Sequence, residues 1–214
     1  MVEAFEEKVR RAGDSALQEL GLFFMDADPV HHALKKIAGR LASLKVSYAV
    51  AGAMALNANG FRRATVDVDL LVTAEGLKTA HEKLEGLGYL PPFKGSKQLR
   101  DTEYGVKIEF LVTGQFPGDG KPKAVAFPDP AHCAFEKDGI HYLRLPTLIE
   151  LKLASGMTNP GRLKDLADVQ ELIRVLKLAE DYAAQLNPYV QAKFIELWQG
   201  VQNDTFGEQG SMNP

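Results

Sequence analysis

The chain predicts an α+β fold: a mixed β-sheet flanked by helices, with a helical C-terminal subdomain. Three observations carry this. Short apolar runs bounded by glycine and proline alternate with helical stripes through the first two thirds of the sequence. One such run, Asp67-Val68-Asp69-Leu70-Leu71-Val72, places aspartates at alternate positions, the period of a strand with one polar and one buried face. From Pro146 onward the apolar positions keep helical spacing. With 214 residues, 45% hydrophobic and 25% charged, the chain has the make-up of an ordinary globular protein and enough length for a good core.

The elements follow in order. Phe5, Val9, Ala12, Leu17 and Leu20 outline a first helix, interrupted near Gly13. Asp26-Ala27-Asp28-Pro29 signals the start of a second, which runs to about residue 44 with Leu34, Ile37, Ala38, Leu41 and Leu44 on one side. Residues 46–51 read as a strand ended by Gly52, and a short helix follows, stopping near Asn59-Gly60. After the aspartate strand come a helix over 74–87 and a breaker at Gly88-Tyr89-Leu90-Pro91-Pro92. Strands over 96–102 and 106–113 join at Glu103-Tyr104-Gly105, and residues 114–130, rich in glycine and proline, form a loop. Lys137-Asp138-Gly139 is the turn of a hairpin between 133–136 and 140–143. Beyond Pro146, one helix carries Leu148, Ile149, Leu151 and Leu153, a second carries Leu163, Leu166, Val169, Leu172, Ile173 and Leu176, and helical segments continue to about Gly200. The expected division is a sheet domain with N-terminal helices over 1–145, a helical subdomain over 146–202 and a disordered tail over 203–214.

Composition narrows the function. A formal net charge of -3 advertises no global basic field for nucleic acid. One cysteine, Cys133, excludes an internal disulfide and a cysteine-rich zinc site and fits a reducing compartment. The start, Met1-Val2-Glu3-Ala4-Phe5-Glu6-Glu7, is acidic where a secretion signal is basic, and no apolar stretch approaches the roughly 20 residues of a membrane span. A cytoplasmic protein without a membrane partner is expected.

The chemistry concentrates at the paired aspartates. On a strand, Asp67 and Asp69 share one face while Val68 and Leu70 point to the core. Two carboxylates so close resist ionising together unless a cation lies between them. A hard divalent ion such as magnesium is the economical explanation, and it makes the chain a candidate phosphate-handling enzyme.

A strand, the turn Ala51-Gly52-Ala53-Met54-Ala55, a short helix and Asp-x-Asp on the next strand resemble the nucleotidyltransferase superfamily. The third acid of that pattern is matched by Glu109 in Lys107-Ile108-Glu109-Phe110-Leu111. Arg63-Ala64-Thr65-Val66-Asp67-Val68-Asp69 is similar to the Arg-x-Thr-x-Asp-x-Asp run of the minimal and abortive-infection (AbiEii) toxin-like branch. Lys152 with Arg162-Leu163-Lys164-Asp165-Leu166-Ala167-Asp168 resembles its later helical motif. Together these motifs span roughly Tyr48 to Leu176, most of the chain. The chain departs from the pattern at Ala53, where many relatives have serine or glycine; alanine leaves only a backbone N–H for a phosphate.

The resemblance implies a nucleotidyltransferase that moves a nucleoside monophosphate from an NTP to a hydroxyl acceptor and releases pyrophosphate. It implies magnesium, or manganese in its place, held by Asp67, Asp69 and Glu109, with Glu109 acting either as a metal ligand or as the base for the acceptor hydroxyl. Gly52, Ala53, Arg63, Thr65, Lys152 and Lys164 would bind the nucleotide. The acceptor class stays open among a small molecule, a protein and RNA. RNA is disfavoured by the acidic balance, although Lys94, Lys97, Arg100, Lys121 and Lys123 are candidates for a local basic patch. A non-catalytic nucleotide- or protein-binding member of the same fold, such as a toxin–antitoxin component with a partner protein, is the alternative. Lys164-Asp165 with Asp168 also reads as a local salt-bridge set. His31-His32 reads as a pair of surface histidines, and Trp198 as helix packing.

Overall fold

Helix α1, Pro29–Ser43, begins where the Asp28 carboxylate accepts hydrogen bonds from Val30 N at 2.7 Å and His31 N at 3.3 Å, with proline in the first turn. The computed structural model describes residues 28–210, with side chains through Asp204. The helix expected around residues 5–20 lies outside them, as does the end of the expected tail. His31 is a correction to the surface reading: its ring is buried and its Nδ1 bonds to Asp28, because the cap residue turns the helix start inward.

The described residues form two compact units. The first comprises residues 28–58, 62–113 and 128–143. It holds a seven-stranded mixed sheet of β1 (Tyr48–Val50), β2 (Asp67–Val72), β3 (Tyr89–Leu90), β4 (Gln98–Asp101), β5 (Lys107–Val112), β6 (Ala134–Lys137) and β7 (Ile140–Leu143), in the order β3-β4-β5-β2-β1-β7-β6. β2 runs parallel to β5 and β1 to β7, and the other neighbours are antiparallel. Helices α2 (Gly52–Ala58), α3 (Ala74–Leu84) and the single turn α4 (Pro130–Cys133) complete the unit. Leu34, Ile37 and Leu41 of α1 join Val68, Leu70, Ile108 and Phe110 of the central strands in one buried core. The alternation of buried and half-exposed residues along β2 and β5 is the period the sequence predicted.

The second unit comprises residues 59–61, 114–127 and 144–210. Helices α5 (Leu145–Thr158), α6 (Leu163–Leu176) and α7 (Pro188–Gly210) pack on one another through Leu148, Leu153, Val169, Leu172, Ile173, Val190 and Phe194. Trp198 packs as expected, its indole N–H donating to Leu178 O at 3.0 Å.

Three boundaries differ from expectation. Tyr89 and Leu90 form a strand inside the expected breaker, because Tyr89 is fully buried and the pair completes the edge beside β4. Residues 114–127 belong with the helices, although they precede Pro146. Asn159 Nδ2 donates to Gly118 O at 3.2 Å and Lys123 Nζ donates to Thr158 Oγ1 at 3.0 Å. Gly118, at φ +77°, lies so close to α5 that a Cβ there would be 2.7 Å from Ser155 O. Finally, α7 continues to Gly210, past the point near 203 where a disordered tail was expected; extending an existing helix needs no apolar stripe of its own. Among the described residues no helix is long and apolar enough to cross a membrane.

Candidate active site

Strand parity and register assemble the acids. Asp67 and Asp69 alternate with buried Val68 and Leu70 on β2, and in the parallel pairing with β5 Asp67 lies opposite Lys107 and Asp69 opposite Glu109. The carboxylates of Asp67, Asp69 and Glu109 therefore rise from one face of adjacent central strands. On the far side of β5, Gln98 of β4 is opposite Glu109 and donates from Nε2 to Glu109 Oε2 at 3.4 Å.

The glycine bend is fitted to Asp69. Gly52 follows β1 at φ +58°, a conformation costly for a residue with a Cβ. A Cβ there would also lie 1.9 Å from Asp69 Oδ2. The neighbouring Ala51 N donates to Asp69 O at 2.8 Å, so backbone and side chain of the aspartate both meet this bend. Ala53 is buried within the short α2.

The approach to β2 is also ordered. Arg63 N donates to Asn57 Oδ1 at 2.7 Å, tying the loop to α2. Thr65 Oγ1 donates to Asp67 Oδ1 at 2.6 Å, fixing one carboxylate oxygen and leaving Oδ2 to face Lys107.

Lys107 is the member that sequence reasoning missed. Its Nζ lies 3.1 Å from Asp67 Oδ2 and 3.3 Å from Glu109 Oε2, with the three side chains 28%, 27% and 38% exposed. Burial works against its charge, but the Asp67 and Glu109 carboxylates outweigh burial and raise its pKa above the ordinary lysine value. The same alternation that paired Asp67 with Asp69 places Lys107 on the face of Glu109, so the signal was present in Lys107-Ile108-Glu109. Among the described residues no three His, Cys, Asp or Glu side chains are grouped to hold a metal ion. Asp67 and Glu109 instead meet at an ammonium.

Gly52, Ala53, Arg63, Thr65, Asp67, Asp69 and Glu109 thus all belong to the first unit, whereas Lys152 and Lys164 belong to the second. Lys152 is buried on α5, its Nζ 3.0 Å from Asp165 Oδ1 and 2.7 Å from Asp168 Oδ2. Ser155 Oγ and Arg162 Nε donate to Asp165 Oδ2 at 2.7 Å and 3.0 Å. A phosphate would have to displace two carboxylates to reach the Lys152 ammonium. Lys164 stands exposed in the first turn of α6. The five cations considered for a basic patch divide between the units, Lys94, Lys97 and Arg100 in one, Lys121 and Lys123 in the other. Arg100 donates to Gly105 O at 2.6 Å and Lys123 to Pro117 O at 2.6 Å.

No protein-family model and no curated protein matches the chain. Solved structures with a similar fold include ANT(2")-Ia in complex with adenylyl-2"-tobramycin, 12% identical over 83% of this chain and 90% of that one, with a TM-score of 0.38. A Thermotoga maritima protein described as a nucleotidyltransferase by proposal is 18% identical over 67% of this chain and 91% of that one, with a TM-score of 0.40. Both are distant likenesses.

Proposed function

We propose that this chain is a nucleotidyltransferase that moves a nucleoside monophosphate from an NTP to a hydroxyl acceptor. One observation carries the reading: Asp67 and Asp69 share a strand face with register-paired Glu109, beside a glycine bend that admits the Asp69 carboxylate where a Cβ would stand.

In the proposed reaction the acceptor oxygen bonds to the α-phosphorus, the bond from that phosphorus to the bridging oxygen breaks, and pyrophosphate leaves. The hydroxyl proton is released, with Glu109 at hand to take it. Thr65 holds Asp67 in one orientation, and Gly52 lets Asp69 approach the backbone bend. Arg63, on the approach to β2, is the cation this reading assigns to the triphosphate.

Three hard carboxylate oxygens are the donor chemistry of magnesium or manganese, so the residue types fit a divalent ion with Asp67, Asp69 and Glu109 as its holders. When bound, such an ion would neutralise charge on the transferring phosphoryl group. Ala53 and the Lys107 ammonium favour the second reading, a non-catalytic member of the fold that binds a nucleotide or a partner protein, since the first offers a phosphate only its backbone N–H and the second occupies carboxylate oxygens that a metal would use.

Incubation with each α-labelled NTP, magnesium and cell extract tests the proposal. Label is expected to enter one acceptor fraction, with pyrophosphate released, and Asp67→Asn is expected to lower transfer by at least about a hundredfold while the fold is retained. Equal transfer by Asp67→Asn would sink the assignment; nucleotide binding without turnover on any acceptor would select the non-catalytic reading.

A further inference from the structure

Lys107 has no part in the transfer chemistry just described, yet it sits between two of the site's acids. Its ammonium meets one oxygen of Asp67 and one of Glu109, two of the three carboxylates that the proposed reading gives to a divalent ion. Gln98 and Lys107 both donate to the same Glu109 oxygen, Oε2. Asp67 instead divides its oxygens, Oδ1 accepting from Thr65 and Oδ2 facing Lys107.

A magnesium-type ion needs oxygens at about 2.0–2.1 Å in near-octahedral geometry. Asp67 and Glu109 would have to offer such an ion oxygens from a pair that already holds the Lys107 ammonium at 3.1 Å and 3.3 Å. Like charges that close repel strongly in a partly shielded site. The set is open to solvent, and lysine's four-carbon stem can swing its charge aside without moving the strand.

We infer that Lys107 is a built-in competitor for the divalent ion: its ammonium and the metal hold Asp67 and Glu109 in mutually exclusive states, so this one residue sets the metal concentration at which the site loads. The inference rests on the reading of Asp67, Asp69 and Glu109 as metal carboxylates. It assigns Lys107 a positioning role, keeping two like charges together until an ion replaces it.

Manganese binding to the whole chain without nucleotide, followed through the loss of the free-ion electron paramagnetic resonance signal, tests it. Lys107→Met is expected to tighten the apparent Kd for manganese by about tenfold or more. Lys107→Arg keeps the charge and is expected to retain weak, wild-type binding. Asp67→Asn added to Lys107→Met is expected to return the affinity to the weak range. Lys107→Gln serves as the second neutral variant should the methionine form misfold. A neutral variant with native circular dichroism that binds manganese no tighter than wild type overturns the inference and leaves the metal reading standing. No manganese binding by wild type or either neutral variant at millimolar ion overturns both.

Discussion

Lys152 and Lys107 each sit between two carboxylates, and their surroundings give the same chemistry opposite uses. Lys152 bridges Asp165 and Asp168 between helices, with the three side chains only 9%, 12% and 6% exposed. Lys107 bridges Asp67 and Glu109 on a sheet face that solvent reaches. In the helical set every charge is locked in by the cost of leaving it unpaired away from water. In the sheet set water or an ion can take over from the lysine at small cost. Burial, more than residue type, separates a structural ion pair from an exchangeable one.

The sharpest way to break this comparison is to remove each lysine's charge. Lys152→Met is expected to lower the unfolding free energy by about 3–5 kcal/mol, because two buried carboxylates lose their partner. The same change at Lys107 is expected to cost less than about 1 kcal/mol. Urea denaturation of both variants checks the pair, and a reversed order would refute the distinction. An intermediate effect is expected at Gly52→Ala, about 1–2 kcal/mol from the left-handed backbone, with a larger loss of nucleotidyl transfer because the new Cβ evicts the Asp69 carboxylate.

The smallest effect is an acid limb. Burial pushes the Asp165 carboxyl up, but Lys152, Ser155 and Arg162 outweigh it and hold its pKa below the ordinary 3.8. A carboxyl with a depressed folded pKa contributes stability that is present above the ordinary value and lost as pH falls through the folded one. Stability measured below pH 3.8 should therefore drop in wild type more than in Asp165→Asn.

Much of this was legible in residue patterns, and what was not depends on long-range pairing. Alternation along Asp67-Val68-Asp69 and the bend at Gly52 pointed to the acid face, and Asp28-Pro29 to the start of α1. The meeting of Lys107 with Asp67 needed the parallel register of β2 with β5, which no local pattern encodes. Lys152 was assigned to phosphate from a motif; its two carboxylate partners become visible only when α5 packs on α6. Strand β3 was hidden because Gly88 and Pro91-Pro92 read as punctuation on either side of a buried tyrosine. Residues 114–130 read simply as a loop, and the long-range bonds of 114–127 to Thr158, Asn159 and Asn187 that attach it to the helices leave no local signal.

That attachment has a practical consequence for dissecting the protein. The polypeptide crosses from one unit to the other near residues 58, 61, 113, 127 and 143. A truncation at the helical border would strip α5 of the segment that covers it, leaving Thr158 and Asn159 without Lys123 and Gly118 as partners. No single cut yields either half intact, so point substitution is the tool suited to assigning its parts.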